Sequence, residues 1–465
     1  MKSAYSQLFA PVDAAFLAVF RMMFGATLLF EAINYGVFLC LDCLYREPEF
    51  LFKYHRFEWV GVLPGWGLEL VFCVMALSAL GVMLGCFYRV SAVLLVLSFA
   101  YLFFLDQALY LNHFYLVLLF ATILVFLPAN RLWSVDALRR PDLRAETVPA
   151  WSRWWLVVQL EIVLLYAGLA KLTSDWLQLE PMRLWMNYRS QDAAPIFQWL
   201  TQDWGIAVAS YGAIALHLLG APLLLFKRTR LIVFCVYAVF HLTNSLVFNI
   251  GIFPWVTVAA TLVLLDPGWP RQFLAFLQSR GRALRWSHLA VHPPIPSSMA
   301  PVNSPVNSAM KFVVLATIGV WLCVQLAVPL RHYLRPGNVA WNEDGHRFSW
   351  RMKLRSKRGT AQFYVKYDDG TVIDVDSTEH LTPKQVTKMA CIPDLVWQYA
   401  QFIEDEYRQS VADDPAVHVI SRCSLNTREP VPLISELVDL TSISRTEPAQ
   451  NWVLPNTKPL PYYIF

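Results

Sequence analysis

The sequence predicts an all-α polytopic membrane bundle of about nine spans, followed by a small α+β extracytoplasmic domain. Three observations predict it. Of 465 residues, 56% are hydrophobic and only 15% are charged, against about 25% charged in ordinary soluble domains. Apolar runs of membrane-crossing length recur along residues 13–330. Beyond them the pattern turns to short alternating segments around one helical stretch. Mean hydropathy is +0.42. A net charge of +4 with no basic tail gives no case for a nucleic-acid partner. The 18 Trp and 30 Phe can supply interfacial belts.

The apolar runs lie near 13–34, 67–87, 90–106, 112–128, 154–171, 205–226, 231–248, 251–266 and 312–330. The first contains Arg21 and lacks a nearby small-residue cleavage site, so it reads as a span rather than a signal peptide. Basic residues follow spans two, four, six and eight: Arg89, then Arg131 to Arg153, then Lys227 to Arg230, then Arg271 to Lys311. The positive-inside rule puts those loops and the N-terminus in the cytoplasm. Loops 35–66, 107–111 and 172–204 then face out, with everything after residue 330. The expected division is a transmembrane domain, 1–330, with a Pro- and Ser-rich cytoplasmic linker at about 271–311, and an extracytoplasmic domain, 331–465.

In that second part, "HRFSWRMKLRS" (346–356), "TAQFYVKYDDGTVIDVD" (360–376) and "AVHVISRCSLN" (416–426) alternate as strands do. "YDDGT" offers an Asp-Gly hairpin turn. Residues 382–409 read as a helix with a soft break at Pro393. Cys391 and Cys423 could pair if this part is extracytoplasmic. Cys40 and Cys43 form a lone CxxC, which is no zinc signature.

Ionisable groups inside a membrane are costly, so each needs an account. Lys171 ends span five on its outer side, and helical geometry leans it back into the membrane. Its i−3 and i−4 neighbours, Gly168 and Ala167, leave open space beside it. The plain reading is a snorkelling lysine. Asn112 and His113 open span four on the same side, where a cap and a satisfied histidine would also account for them. His241, Asn244 and Ser245 stripe one face of span seven, as an interhelical hydrogen-bond seam would. His217, Arg21 and Glu31 are further polar groups within spans. Taken together they predict a polar chamber in the outer half of the bundle, roofed by the soluble domain and suited to an amphipathic ring compound. A lysine there can act as a free-amine base. Di-iron chemistry would need several paired-histidine clusters, and the only such spacing is His288 and His292 in the linker. No metal is expected. GxSxG, P-loop and Rossmann fingerprints are also missing from suitable contexts.

"LNHFYLVLLFATILVFLPANRLWSVDA" (111–137), "QLEIVLLYAGLAKLTSDW" (159–176) and "FHLTNSLVFNIGIFPWVTVAATLVLLDPGWP" (240–270) resemble the vitamin K-dependent gamma-glutamyl carboxylase family, in its horizontally transferred transmembrane domain. "PLRHYLRPGNVAWNEDGHRFSWRMKLRS" (329–356) is similar to the segment after that family's last span. The resemblance implies an enzyme that uses vitamin K hydroquinone or menaquinol, O2 and CO2. It would make quinone epoxide and carboxylate protein glutamate, within a lipid bilayer. It implies Lys171 as the base, Asn112 and His113 as its assistants, and His241, Asn244 and His332 beside the quinone. Tyr166 and Gly168 fall within the lysine motif. Two departures stand out. Ala170 replaces the first of two adjacent lysines found in vertebrate members, and the chain is shorter than those members at its C-terminus. Both point to a short, bacterial-type form whose protein substrate is open. Other readings are a quinol epoxidase without carboxylation, or a non-catalytic quinone- or lipid-binding module.

Overall fold

A computed structural model describes residues 4–189, 195–248, 250–279, 307–410 and 415–461. The spans are α1 (Ala15–Ile33), α2 (Gly67–Leu84), α3 (Tyr88–Leu105), α4 (Asn112–Phe126), α5 (Trp151–Leu169), α6 (Asp203–Ala215), α7 (Arg230–Val247), α8 (Phe253–Leu262) and α9 (Ser308–Ala327). Two carry π turns: Asn34–Phe38 prolongs α1, and Leu216–Gly220 prolongs α6 as far as Leu224. Among the described residues, seven of these helices are long and apolar enough to cross a membrane. The other two, α4 and α8, are shorter, at 15 and 10 residues. The chain is a multi-pass membrane protein. Residues 280–306 of the expected linker, with His288 and His292, lie outside the described residues. The linker's start is not loose coil, because Trp269–Ser279 is helix.

Close helix approach in lipid needs small residues, and Gly25 shows why. A Cβ there would lie 2.5 Å from the Met83 backbone nitrogen, so α1 packs backbone to backbone on the end of α2. Arg21 serves the same junction. It is buried, and its guanidinium donates to the carbonyls of Val82 and Met83 (both 2.9 Å) and of Trp133 (2.6 Å). These include carbonyls at the α2 terminus that the helix leaves unpaired. Gly85, at φ +63°, ends α2 there, and a Cβ on it would sit 2.4 Å from Arg21 Nη1. The loop arginines work alike. Arg153 donates to Val263, Leu264 and Leu265, Arg230 to Leu224 and Leu225, and Arg89 to Val125. Each neutralises the negative end of a helix dipole. Arg21 therefore belongs to the helix ends opposite the soluble domain, not to the expected chamber.

After α9 a four-stranded antiparallel sheet forms in the order β4-β3-β5-β6. Its strands are β3 (Lys357–Lys366), β4 (Val372–Val375), β5 (Ala416–Leu425) and β6 (Val431–Pro432); β1 (Pro11–Asp13) and β2 (Thr147–Pro149) pair separately in the bundle. The β3–β4 turn places Gly370 at φ +88°. Helices α10 (Pro383–Met389) and α11 (Pro393–Ser410) cover the sheet. A Thr382–Gln385 capping box starts α10, and Pro393 starts α11 as a first-turn proline. Cys391 and Cys423 are disulfide-bonded inside this core.

One expected strand is not a strand. Residues 351–356 are irregular, and Phe348, Trp350 and Lys353 adopt positive φ of 61°, 54° and 51°. The alternation of "HRFSWRMKLRS" has another cause: its apolar side chains enter the bundle as a plug. Trp350 is fully buried and stacks on Tyr115 at 4.9 Å, and Phe348 meets Tyr110 at 5.3 Å and Tyr115 at 4.9 Å. Further contacts join the two parts. Gln385 donates to Asp106 (3.1 Å) and to the Phe50 carbonyl (3.0 Å), and Gln398 donates to Gln107 (3.0 Å). Loops 35–66 and 107–111 thus lie on the side of the soluble domain, as do residues 172–189 and 195–204.

Arg21→Leu is expected to leave the Met83 and Trp133 carbonyls unpaired, because Val82 still accepts from the Gly85 N–H, at roughly 1–3 kcal/mol each where buried. Its Tm in detergent should fall by several degrees relative to wild type. An unchanged Tm would contradict the capping role.

Candidate active site

Gly168, near the end of α5, faces the π turn of α6. A Cβ there would lie 2.6 Å from Leu218 Cδ2 and 3.0 Å from His217 Cβ. The open space expected beside Lys171 is therefore filled by a neighbouring helix. Lys171 leans back along α5 as its geometry requires. Its Nζ donates to the Ala167 carbonyl at 2.9 Å and lies 5.3 Å from the centre of the Trp176 ring. Only 6% of Lys171 is exposed. Among the described residues no carboxylate pairs with it. A snorkelling lysine would have its amine in water, so that reading does not describe this side chain.

Trp176 is held from several directions. Thr173 caps its short helix, accepting from the Trp176 N–H at 3.3 Å, and the indole N–H donates to the Ser210 carbonyl at 3.0 Å. Next to it, Asp175 accepts from Arg428 at 2.6 and 2.8 Å and from Asn426 at 2.6 Å. The soluble domain thus grips the segment that covers the lysine.

From Lys171 a line of rings crosses the bundle. His217 lies within the electrostatic field of both Lys171 and His241. Its Nδ1 bonds to the Ala213 carbonyl at 2.6 Å, and its ring packs on Phe240 at 5.5 Å and Tyr237 at 6.1 Å. His241 stacks on Tyr237 (6.0 Å) and meets Phe240 (5.3 Å) and Phe253 (5.6 Å). It is 1% exposed, and neither ring nitrogen has a hydrogen-bond partner. His113 reaches Phe253 from the other side at 6.0 Å, and Gly251, at φ +55°, passes 3.8 Å from its Nε2 as measured from a Cβ position. Three imidazoles and one amine therefore share an aromatic wall between α4, α5, α6, α7 and α8.

The other expected site residues have contacts of their own. Asn112 faces the soluble domain. Its Oδ1 accepts from Tyr110 at 3.0 Å, and the same Tyr110 oxygen accepts from the Phe348 N–H at 2.8 Å. Asn244 is half-buried one turn beyond His241. Tyr166 donates to the Leu326 carbonyl of α9 at 2.7 Å. His332 bonds to the Pro329 carbonyl at 2.8 Å and packs on Tyr333 and the Gly345 backbone. Among the described residues no hydrogen bond, ion pair or ring contact links Tyr166 or His332 to Lys171. Sequence reasoning gave no role to Trp176, Tyr237, Phe253 or Tyr110. Of these Trp176, five residues beyond Lys171, and Phe253, within the 240–270 segment, lay in motifs that had drawn notice.

Residues 9–269 match the HTTM domain family, and residues 310–459 match the family described as the lumenal domain of vitamin K-dependent gamma-carboxylase. The chain belongs to the vitamin K-dependent gamma-glutamyl carboxylase family. No solved structure matches it. Membership gives the kind of function, that of a vitamin K-dependent carboxylase. The first match covers the whole ring wall around Lys171, and the second covers the plug, the sheet and the Arg428 grip.

Glu180 is a second buried group near the lysine segment. It is 1% exposed, and the Leu184 backbone N–H faces its carboxylate. Burial pushes its pKa up to about 7. The folded chain then holds a proton that the unfolded chain, at 4.5, releases. This contribution to stability is present at low pH and is lost as pH rises through 7. Glu180→Gln should raise Tm at about pH 8 and leave it little changed at about pH 5. Equal effects at both pH values would contradict this.

Proposed function

We propose that this protein is a membrane quinol oxygenase-carboxylase in which Lys171 is the base. The observation that carries the reading is the setting of that amine: buried, bonded to a carbonyl, faced by an indole and, among the described residues, paired with no carboxylate. Such burial disfavours the charged form of an amine. A free amine can take the proton of a quinol hydroxyl, which is the step that prepares a quinol for O2.

The wall suits a lipid-tailed quinol. Its aromatic faces match a fused ring, and the two unpartnered nitrogens of His241 are available to oxygen atoms on that ring. Vitamin K hydroquinone or menaquinol, with O2, would supply a base strong enough to take a proton from a glutamate γ-carbon, which then captures CO2, and would leave as the epoxide. The chain's own residues do four things. Lys171 takes the first proton. His241 and His113 orient the ring from its far side. Asn112, held by Tyr110, faces the domain from which a glutamate would come. Trp176 and Leu218 exclude water. Because Leu218 packs against Gly168, the ligand must displace the π turn of α6 to enter, and π turns recur at functional sites.

The same reading assigns sides. The arginines that cap helix ends opposite the soluble domain support a cytoplasmic N-terminus. Disulfides on the domain side support an extracytoplasmic location there.

Protein in nanodiscs, given reduced vitamin K or menaquinol, O2 and bicarbonate, should form quinone epoxide. Lys171→Ala should lower the rate by about 10^2-fold or more, the usual worth of a general base. Lys171→Arg should not restore it, because a guanidinium does not become a free base. A folded Lys171→Ala variant that keeps full epoxide formation would reject the base role. Epoxide without carboxylation of a Glu-rich peptide would restrict the function to the oxygenase. Quinone binding with no epoxide in wild type would point to a binding module.

A further inference from the structure

The chain's two disulfides sit in opposite settings. Cys391–Cys423 joins residues 32 apart within the buried core of the soluble domain. Cys40–Cys43 joins residues three apart in the turn after α1, with Cys40 exposed and Cys43 half-buried. Closing so short a loop removes little entropy from the unfolded chain, so stabilisation does not account for the second bond. Exposed disulfides are the ones that exchange.

What the second bond faces is a cavity of about 290 Å3 between α1, α2, α3 and the start of α4, with Lys384 and Lys388 of the soluble domain also lining it. Both Cys40 and Cys43 line it. So do the rings of Tyr35, Phe72, Phe99, Phe103 and Phe114, and the carboxyl-bearing Glu31. Tyr110 lines it as well, and Tyr110 is the residue that donates to Asn112. The cavity therefore ends one side chain from the Asn112–His113 pair. Lys171 does not line it.

We propose that Cys40 and Cys43 form a redox pair that reduces a quinone held in this cavity. The choice of ligand class rests on the quinol reading above; the pair and its cavity do not. In the step, both S–H bonds break and one S–S bond forms. Two electrons and two protons pass to the two carbonyl oxygens of the quinone, giving the quinol. The dithiol is oxidised and the quinone reduced. An external dithiol returns the pair to its thiol form by exchange at the exposed Cys40. The quinol leaves past Tyr110 for the side of Lys171.

The test is a single turnover on the full chain in nanodiscs. Dithiothreitol reduces the protein and is removed, and a short-tailed menaquinone is added without oxygen. Absorbance reads quinol, and alkylation with mass spectrometry reads each cysteine. About one quinol per chain is expected, as a two-electron couple requires. Cys40 and Cys43 become protected from alkylation, while Cys73, Cys86, Cys235 and Cys323 stay reactive. Lys171→Ala should behave as wild type, which separates this proposal from the base reading. Cys43→Ser should form no quinol. Leu102→Trp, which fills the cavity, should slow oxidation by quinone about tenfold or more by denying the ligand its pocket. It should leave oxidation by glutathione disulfide unchanged, which also reports an intact turn. The proposal is overturned if dithiothreitol cannot reduce the pair, if the thiols persist in the presence of quinone, or if Cys43→Ser or Leu102→Trp matches wild type.

Discussion

A lysine amine shut away from water, with no negative partner among the described residues, is the constraint on which the rest of this molecule turns. Burying such a group is expensive, and proteins relieve the cost by pairing the charge or by giving up the proton. Here the first remedy is missing. Lys171 is packed by an indole and its own helix. Gly168 admits the π turn of α6 that closes one side of the site, and the Asp175–Arg428 ion pair anchors the segment that closes another. Loosening either contact would let water reach the amine.

The two parts of the chain consequently act as one. The plug from Phe348 to Leu354 fills the domain end of the bundle, and Tyr110 joins its backbone to Asn112. Inside the soluble domain the base of the plug is fixed by a buried charge cluster. Burial alone would raise the Glu343 carboxyl, but Arg355, His346 and Lys357 hold it below the usual carboxylate range. The same side chains would carry a disturbance in the soluble domain to the covering of Lys171. At the opposite helix ends, arginines cap carbonyls of Val263, Leu264, Leu265, Leu224, Leu225 and Val125.

Much of this was legible in the sequence. Hydropathy located the seven helices that, among the described residues, are long and apolar enough to cross a membrane, and two shorter apolar ones, because a helix satisfies its own backbone in lipid. Asp-Gly and Pro393 marked the hairpin and the helix break. Lys171 drew notice because a lysine after an apolar run violates the pattern. Other features were not legible, for definite reasons. The alternation at 346–356 suggested a strand, since period-two burial looks the same whether the partner is a sheet or a bundle. Arg21 looked like a chamber residue, because a sequence does not say which carbonyls a guanidinium will meet. Neither could it say that Gly168 admits Leu218 rather than leaving a void, or that His332 and Tyr166 bond to carbonyls near α9. The ring wall around Lys171 joins five separated helices, and no spacing rule connects them.

The central claim is that Lys171 carries a free amine in the place where the quinol binds. The most direct measurement is amine-selective labelling at neutral pH with a small apolar acylating reagent, read site by site by mass spectrometry, with and without a menaquinone. The account predicts that buried Lys171 is acylated, and that quinone protects it while exposed lysines are unaffected. An unreactive Lys171 beside reactive surface lysines, or labelling that quinone does not change, would contradict it.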